Sequence, residues 1–393
     1  MEEQRRQLTM RERTEIDISI AQQIIQAREK KNKVFRQCEG CGKCLELDNI
    51  YCKEYKQGEL PKYIMFSQKE CEKFIPYKEV LLDGCNEKIF GGLLGHCVGD
   101  MLGVPVEFSS RKEREIDPVN EMRANGTYSQ PFGTWSDDTS LSLCLIDAIG
   151  KGGDYKTIAD NFIAYMERGK FTPGDELFDI GKTTQLSIER MKQGVSPIEC
   201  GMKSENDNGN GSLMRILPLA FLKDKYSDGQ MKEYVKNVSS LTHGHIRSII
   251  ACEFYVEMAY QLYKGASKEE SYNAAVRYVL DEYGHIFPEE IAIYSRILNE
   301  NISDYSKSEI KSSGYVVDSL EASLWAFLNG KSFEDVVFAA INLGGDTDTI
   351  GAIAGGLAGM YYGLSSIPYR WIQSIRRLDL IKAEILRFIE KIN

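Results

Sequence analysis

The sequence has no excess of positive charge. Its 393 residues include 48 Lys and Arg against 58 Asp and Glu, a formal net charge of −10 at pH 7. A chain with a net negative charge lacks the excess of positive charge that binds phosphate backbones, so nucleic acid is not expected as a main partner. An apolar secretory signal is also missing, because MEEQRRQLTMRERTE is charged from its second residue. We expect a cytoplasmic protein.

Long uncharged stretches are equally scarce. One of them, IGAIAGGLAGMYYGLSSIPY from Ile350 to Tyr369, has the length of a membrane span. It is rich in Gly and Ala, contains a proline and directly follows the acidic GGDTDT. Small residues allow helices to pack closely. The stretch therefore favours a buried core helix, and no membrane association is expected.

Residues 1–84 differ in pattern from the rest and are predicted to form a separate segment. Between Thr14 and Phe35, Ile16, Ile20 and Ile24 recur at helical spacing among charged residues and glutamines. This pattern predicts an amphipathic helix. The helix docks on its own protein or, as the alternative, on a partner.

Half of the ten cysteines follow this helix in QCEGCGKCLELDNIYCKEY and shortly beyond it. A C-x2-C-x2-C run has metal-ligand spacing, because a tight turn can aim two sulfurs at one ion. Zinc is the first choice and an iron–sulfur cluster the second, since the ferredoxin spacing is absent. Unmetallated thiols in a reducing compartment are the alternative. The predicted ligands are Cys38, Cys41, Cys44, Cys52 and Cys71.

Residues 85–393 are predicted to form one large all-α domain. Apolar residues recur there at i, i+3 and i+4, Gly-containing connectors separate the segments, and alternating strand patterns are scarce. The clearest helical segments are LSLCLIDAIG, YKTIADNFIAYMERG, VVDSLEASLWAFLNG and SIRRLDLIKAEILRFIEKI. The other five cysteines have apolar surroundings and are predicted to be small core residues.

Two acidic clusters, far apart in the chain, each join carboxylates to hydroxyls. The first is SDDT at residues 136–139, and the second is DTDT at residues 346–349. Hard oxygen ligands without His or Cys suit Mg²⁺, Mn²⁺ or Ca²⁺. If the fold joins the clusters, they can hold two ions that polarise a substrate and activate water. Each cluster alone is also an ordinary helix start.

These motifs resemble those of the ADP-ribosylglycohydrolases, the family related to the enzyme that reactivates nitrogenase reductase. The resemblance runs from Lys88 to Asn393 and rests on GLLGHCVGDMLGVPVEF, GTWSDDTS, FDIGKTT, GNGSLMR, THGH, GYVVDSLEASLWAF and LGGDTDTIGAIAGGLAG. It implies a compact, orthogonal multi-helix globule with two Mg²⁺ or Mn²⁺ ions in a cleft. It also implies hydrolysis of the bond between C1″ of ADP-ribose and a side chain.

The resemblance assigns roles to individual positions. Glu107, Asp137 and Asp348 would be catalytic, with Glu107 activating water or holding substrate. Position 136 usually carries Thr in the family, and Ser136 keeps that hydroxyl. The implied metal ligands are Ser136, Asp137, Asp138, Asp346, Asp348 and Thr349.

The implied substrate contacts lie between the two acidic clusters. Asn210, Gly211 and Ser212 belong to a Gly-rich loop that would cradle the diphosphate, with a following helix presenting its N-terminus. His243 would lie near the diphosphate or the proximal ribose. Asp179 would face the leaving side chain, where a carboxylate can engage a guanidinium.

The expected substrate is an ADP-ribosylated protein or an ADP-ribose conjugate, with arginine as the first acceptor and serine as the second. Two other functions stay open. One is an ADP-ribose-binding protein that has lost the chemistry, although both acidic clusters are intact. The other is a hydrolase that uses the ions to cleave the diphosphate, which would release AMP.

Overall fold

The structure, a computed structural model, describes residues 84–393 and the backbone of residues 44–46 and 51–52. The chain divides into two compact units, residues 1–83 and 84–393. In the first unit, strand β1 (Cys44–Glu46) pairs antiparallel with β2 (Tyr51–Cys52), and Cys44 lies opposite Cys52.

Most of the predicted amino-terminal features lie outside the described residues. These are the helix between Thr14 and Phe35, the ligands Cys38, Cys41 and Cys71, and the side chains of the other two cysteines. Zinc binding by this segment remains a prediction.

The second unit is built from α-helices and short 3₁₀ turns, which confirms the predicted all-α class. Most of the buried residues of these helices are apolar, and buried acids are concentrated at the starts of a few of them. The helices are α1 Gly84–Gly103, α2 Arg111–Ile116, α3 Asp137–Gly150, α4 Tyr155–Arg168, α5 Lys182–Lys192, α6 Asp228–Ser240, α7 Ile246–Lys264, α8 Lys268–Tyr283, α9 Pro288–Ile293, α10 Ser295–Leu298, α11 Val316–Asn329, α12 Phe333–Ile341, α13 Thr347–Tyr362, α14 Tyr369–Ser374 and α15 Leu378–Ile392.

Three of the four clearest helical patterns coincide with α3, α4 and α11. The fourth pattern predicts a helix that runs on from Ser374, but the structure ends α14 there and begins α15 at Leu378. Arg377 lies between them with φ +51°, a left-handed conformation that a continuous right-handed helix cannot contain. The amphipathic pattern continues across this break, which is why periodicity alone does not reveal it.

Helices α1 and α13 pack with their backbones in contact. Glycines recur at every fourth position of α1, at Gly91, Gly95, Gly99 and Gly103, and face a similar row on α13. A Cβ atom added at Gly99 would lie 2.0 Å from the carbonyl oxygen of Gly351. Only glycine permits the two helices to lie this close, because any larger side chain would overlap the facing backbone.

The helical part of the uncharged stretch after Asp348 is the buried core helix that the composition predicted. Thr347–Met360 of α13 are all buried. Among the described residues, one helical segment, Asn86–Val106, is apolar and long enough to cross a membrane, but 94% of its most apolar window is buried inside the protein. That burial is typical of a core helix, and its length alone does not indicate a membrane span.

The close packing of α1 and α13 makes a prediction about stability. Gly99→Ala places a methyl group against the rigid backbone of α13, so we expect the free energy of unfolding to fall by about 3 kcal/mol. Urea denaturation measures this change. Gly150→Ala, at the end of α3, is the matched control, because a Cβ there would have no atom within 4 Å. The control should be neutral or stabilising by up to about 1 kcal/mol; equal effects of the two substitutions would refute close packing.

Candidate active site

The first acidic cluster opens helix α3. Ser136 is the N-cap, and its side chain accepts a hydrogen bond from the backbone of Asp138. Asp137 and Asp138 occupy the first turn and are buried. The sequence SDDT therefore starts a helix, as its composition allows, and also points two acids into the protein interior.

The second cluster opens helix α13. Gly344 and Gly345 precede it with φ values of +74° and +75°, and a Cβ on Gly345 would lie 2.0 Å from the carbonyl oxygen of Ser312. This turn requires glycine both for its backbone angles and for its close approach. Asp346 follows immediately, and its Oδ2 accepts a 2.8 Å hydrogen bond from the side-chain amide of Asn210.

The two clusters meet although about 200 residues separate them in the sequence. The hydroxyl of Thr349 donates a 3.3 Å hydrogen bond to Oδ2 of Asp138. Carboxylate oxygens of Asp100, Asp138 and Asp348 lie within 4.8 Å of one another, and so do those of Glu107, Asp179 and Asp348. Asp348 belongs to both groups and links them into one acidic site.

Asp100 was not singled out by the sequence. It lies in α1, and its carboxylate accepts hydrogen bonds from the backbone amides of Ser136 and Thr139, at 2.9 and 3.0 Å, and from the Thr139 hydroxyl at 2.6 Å. These bonds fix the first turn of α3 against α1. The signal that could have found it is an isolated acid beside the regularly spaced glycines of an apolar helix.

Glu107 and Asp179 form the second part of the site, beside Tyr128. The Tyr128 hydroxyl lies near both carboxylates and lowers the pKa of each. Burial raises the pKa of Glu107 to about 8, and the charges of Asp179 and Asp346 add to this rise. Burial and the charge of Asp346 raise the pKa of Asp179 to about 6. Both acids therefore hold protons more readily than ordinary carboxyl groups.

The other site acids are also electrostatically uncompensated. Burial, followed by the charges of neighbouring acids, raises the pKa values of Asp137, Asp138 and Asp348 well above their usual range. Among the ion pairs of the described residues, none involves a site acid. So much buried negative charge without a counter-charge is unfavourable in the bare protein.

The donor set fits a hard divalent cation. Oδ1 of Asp138 and Oε2 of Glu107 are buried and have no hydrogen-bond partner within the described part of the chain. The nearby ligands are carboxylate and hydroxyl oxygens, the type that Mg²⁺ and Mn²⁺ prefer over soft sulfur or imidazole ligands. A bound cation would satisfy these orphaned oxygens and lower the repulsion.

A cavity of about 310 Å³ opens onto the acids and brings most of the predicted residues together. Thr184 and Met214 contribute to its wall as well. The predicted residues that line it are Glu107, Asp137, Asp179, Asn210, Gly211, His243, Asp346, Asp348 and Thr349. Ser136 and Asp138 are buried and do not line the cavity.

The Gly-rich loop closes one side of this cavity. A Cβ at Gly211 would lie 2.8 Å from the His243 ring and 2.9 Å from the Thr184 hydroxyl, so the loop packs by its backbone. Burial lowers the pKa of His243 to about 3, with a further contribution from the charge of Arg215. His243 is therefore neutral, and the Thr242 hydroxyl lies 2.8 Å from its Nδ1.

Two details of this loop differ from expectation. No α-helix begins directly after it, because turns lead to a 3₁₀ helix at Leu217–Lys225. Pro218 explains this, since it has no N–H for a continuous α-helix. Ser212, predicted to contact the substrate, is fully buried, and its hydroxyl accepts a hydrogen bond from Ser239 at 3.0 Å. It supports the loop from below and does not line the cavity.

A second cavity, of about 460 Å³, adjoins the first and shares Gly209 and Gly314 with it. Arg247 and Tyr315 form part of its wall, with the guanidinium 5.9 Å from the ring centroid. Arg247 is held by Glu290, at 2.8 Å, and by Glu205, at 3.3 Å. The two cavities give the site room for an extended ligand.

The fold and the site define an all-α protein with a buried cluster of carboxylates at a cleft, and comparison with known proteins gives the family. Residues 82–393 match the model of the ADP-ribosylglycohydrolase family. The chain belongs to this family, whose members are hydrolases acting on glycosidic bonds.

Individual relatives agree with this assignment. The ADP-ribosylarginine hydrolase Tri1 of Pseudomonas putida (strain GB-1) is 33% identical over 72% of this chain and 73% of its own length. The ADP-ribosyl-[dinitrogen reductase] glycohydrolase of Rhodospirillum rubrum is 29% identical over 78% of this chain and 95% of its own. A solved structure described as an ADP-ribosylglycohydrolase-related protein complex has 29% identity and a TM-score of 0.67, covering 79% of this chain and 100% of that one.

The repulsion among the acids predicts that Asp348→Asn stabilises the metal-free protein. A carboxyl whose pKa is raised by folding contributes most stability below its ordinary pKa, and loses that contribution as pH rises through the raised value. Asn keeps the shape without the charge. In EDTA at pH 8 we expect unfolding to require about 1–3 kcal/mol more than in the wild type. The difference should shrink toward pH 4, as measured by urea denaturation.

Asp147→Asn is the matched control. Asp147, in α3, is also a buried acid, but it forms ion pairs with Lys151 and Lys170. Burial alone would raise its pKa, but the hydrogen bond from Lys151 and the charge of Lys170 leave that pKa below its usual range. Its replacement should destabilise the protein at pH 8. If Asp348→Asn destabilises it as well, the site acids are not repelling one another.

Proposed function

We propose that this protein is a metal-dependent hydrolase that removes ADP-ribose from a modified arginine side chain by cleaving the C1″ glycosidic bond. The observation that carries the proposal is the meeting of Asp138 and Asp348, from two distant helix starts, in a buried acidic site at the floor of a cavity. A site of this kind does not stabilise the core, because its buried charges destabilise the folded protein. We therefore infer a functional role for it.

Two Mg²⁺ or Mn²⁺ ions are the proposed cofactors. The ions would orient the ribose hydroxyls and lower the pKa of a nearby water molecule. The orphaned Oδ1 of Asp138 and the uncompensated burial of Asp348 support this assignment. The residues proposed to hold the ions are Ser136, Asp137, Asp138, Asp346, Asp348 and Thr349.

Glu107 is the group proposed to take the proton of the attacking water. It lies at the cavity wall, is only 6% exposed, and has one oxygen without a partner in the described part of the chain. A cation bound nearby would favour the ionised form of this carboxyl, which is the form that accepts a proton. The oxygen of the water forms the new bond to C1″ while the C1″–N bond breaks. The proton that Glu107 takes from the water then passes to the leaving guanidine nitrogen, which becomes guanidinium.

Arginine is the proposed acceptor for two reasons. Two relatives, at 33% and 30% identity, are ADP-ribosylarginine hydrolases. In this chain, Asp179 lies at the cavity wall close to Glu107, where its carboxylate can pair with a guanidinium. A serine hydroxyl would offer no charge to these acids.

The nucleotide half of the substrate is proposed to extend over the Gly-rich loop into the second cavity. Gly211 lines the first cavity, and neutral His243 lies beside it. Gly209 and Gly314 line both cavities, and the diphosphate is proposed to lie beside these glycines.

The protein is proposed to be cytoplasmic, and its amino-terminal segment is proposed to be a separate metal-binding unit. The cysteine spacing supports zinc, and the backbone pairing of Cys44 opposite Cys52 is compatible with a shared ion. The amphipathic helix predicted between Thr14 and Phe35 is proposed to dock on its own protein or, as the alternative, on a partner.

Replacing Asp346 by Asn tests the function directly. Asn has no charge to offer a cation but can still accept the hydrogen bond from Asn210, so the variant should fold. We expect release of ADP-ribose from an arginine-ADP-ribosylated protein to fall at least roughly 100-fold, the scale of losing one preorganised electrostatic contact. Release by the wild type should also stop in EDTA and resume with Mg²⁺ or Mn²⁺.

Asp160→Asn is the control, because Asp160 is an exposed acid of α4 paired with Lys156 on the surface. It should release ADP-ribose at the wild-type rate. Chromatography of the product provides the other check. Activity that persists in EDTA, or AMP as the product, would contradict the proposed function.

A further inference from the structure

Phe108 occupies a position that packing does not explain. Its side chain is 69% exposed, whereas the preceding Glu107 is 6% exposed. Its φ of +61° is a conformation that bulky residues rarely adopt. An apolar ring that faces solvent on a strained backbone contributes little to the core, and such strain tends to persist at functional sites.

The Phe108 ring belongs to a row of three aromatic side chains. Its centroid lies 6.4 Å from that of Tyr128, at an interplanar angle of 63°. The Tyr128 ring lies 5.3 Å from that of Phe178, which directly precedes Asp179. We call Phe108, Tyr128 and Phe178 the aromatic wall.

The aromatic wall is attached to the acidic site by the backbone. The amide of Phe108 donates a 2.7 Å hydrogen bond to the carbonyl of Gly345, which directly precedes Asp346. The hydroxyl of Thr127 donates one of 2.7 Å to the carbonyl of Glu107. The backbone of Phe108 is thus held between the start of α13 and the Tyr128 loop. Of the three residues of the aromatic wall, Phe108 lines the cavity.

Negatively charged side chains near the aromatic wall favour the binding of a cation. The cavity that Phe108 lines also has in its wall the carboxylates of Glu107 and Asp179, which are not among the proposed metal ligands, and one lysine, Lys182, which is exposed. Glu107 and Asp179 lie next to Tyr128. A planar cation can place its face on aromatic rings while its N–H groups reach a carboxylate.

We propose that the aromatic wall and Asp179 form the subsite for the leaving guanidinium, and that Phe108 is a specificity-determining residue for arginine. This inference rests on the proposed function and extends it to the recognition of the acceptor. The guanidinium stacks against the wall while Asp179 accepts its N–H groups. A neutral, short acceptor such as serine gains nothing from these contacts.

Phe108→Leu tests the subsite, because leucine keeps an apolar, branched side chain at the same strained position but removes the ring. The substrate is ADP-ribosylated agmatine, a defined guanidine. We expect KM to rise roughly threefold to tenfold, the scale of a partly exposed cation–π contact. The kcat should change less than twofold, and inhibition by free ADP-ribose should be unaltered. Phe108→Tyr, which restores a ring, should return KM to the wild-type value.

Phe132→Leu is the matched control, because Phe132 is a phenylalanine 47% exposed that does not line the cavity. Its KM should equal that of the wild type. The thermal midpoint of Phe108→Leu should also match the wild type, which excludes a merely structural role.

Calorimetric titration with agmatine alone provides a readout that does not need turnover. Weaker agmatine binding by Phe108→Leu supports the subsite even if the wild type releases no ADP-ribose, a result that would refute only the proposed function. An unchanged KM and unchanged agmatine affinity would overturn the inference, and so would an equal loss of affinity for ADP-ribose.

Discussion

The backbone contact between α1 and α13 is the constraint on which the site depends. Glycines at Gly91, Gly95, Gly99 and Gly103 remove every side chain that would separate the two helices. At the last of these, a Cβ would lie only 2.3 Å from the Cα of Asp348. The Thr347 hydroxyl also donates a 2.8 Å hydrogen bond to the Gly103 carbonyl. The start of α13 is therefore fixed against the end of α1.

Helix α3 is added to this pair through Asp100. The Asp100 carboxylate, on α1, accepts hydrogen bonds from the backbone amides of Ser136 and Thr139. These bonds hold the first turn of α3 beside the first turn of α13. Two helix N-termini then present their acids to the same place. The partial positive charges of these termini reduce the repulsion but do not remove it, since the acids keep raised pKa values. The fold thus holds a charge arrangement that a cation would stabilise.

Much of this arrangement could be predicted from the sequence. The helical class follows from periodicity, and the carboxylate–hydroxyl pattern of the two acidic clusters indicates the chemistry of the site. Asp100 was missed because one acid in an apolar helix has no local companion to mark it. Asn210 was predicted to contact the substrate, but its amide also holds Asp346, a long-range contact invisible in local patterns. Phe108 was missed because exposure and backbone strain are properties of the fold.

The central claim is that the acids joined by α1, α3 and α13 form a divalent cation site. A crystal of the protein grown with Mn²⁺, measured at a wavelength where manganese scatters anomalously, tests it most directly. The account predicts anomalous density bound by the carboxylates of Asp138 and Asp348, at oxygen–metal distances of about 2.0–2.6 Å. Well-ordered carboxylates with no anomalous density between them at saturating Mn²⁺, or density only at surface acids, would contradict it.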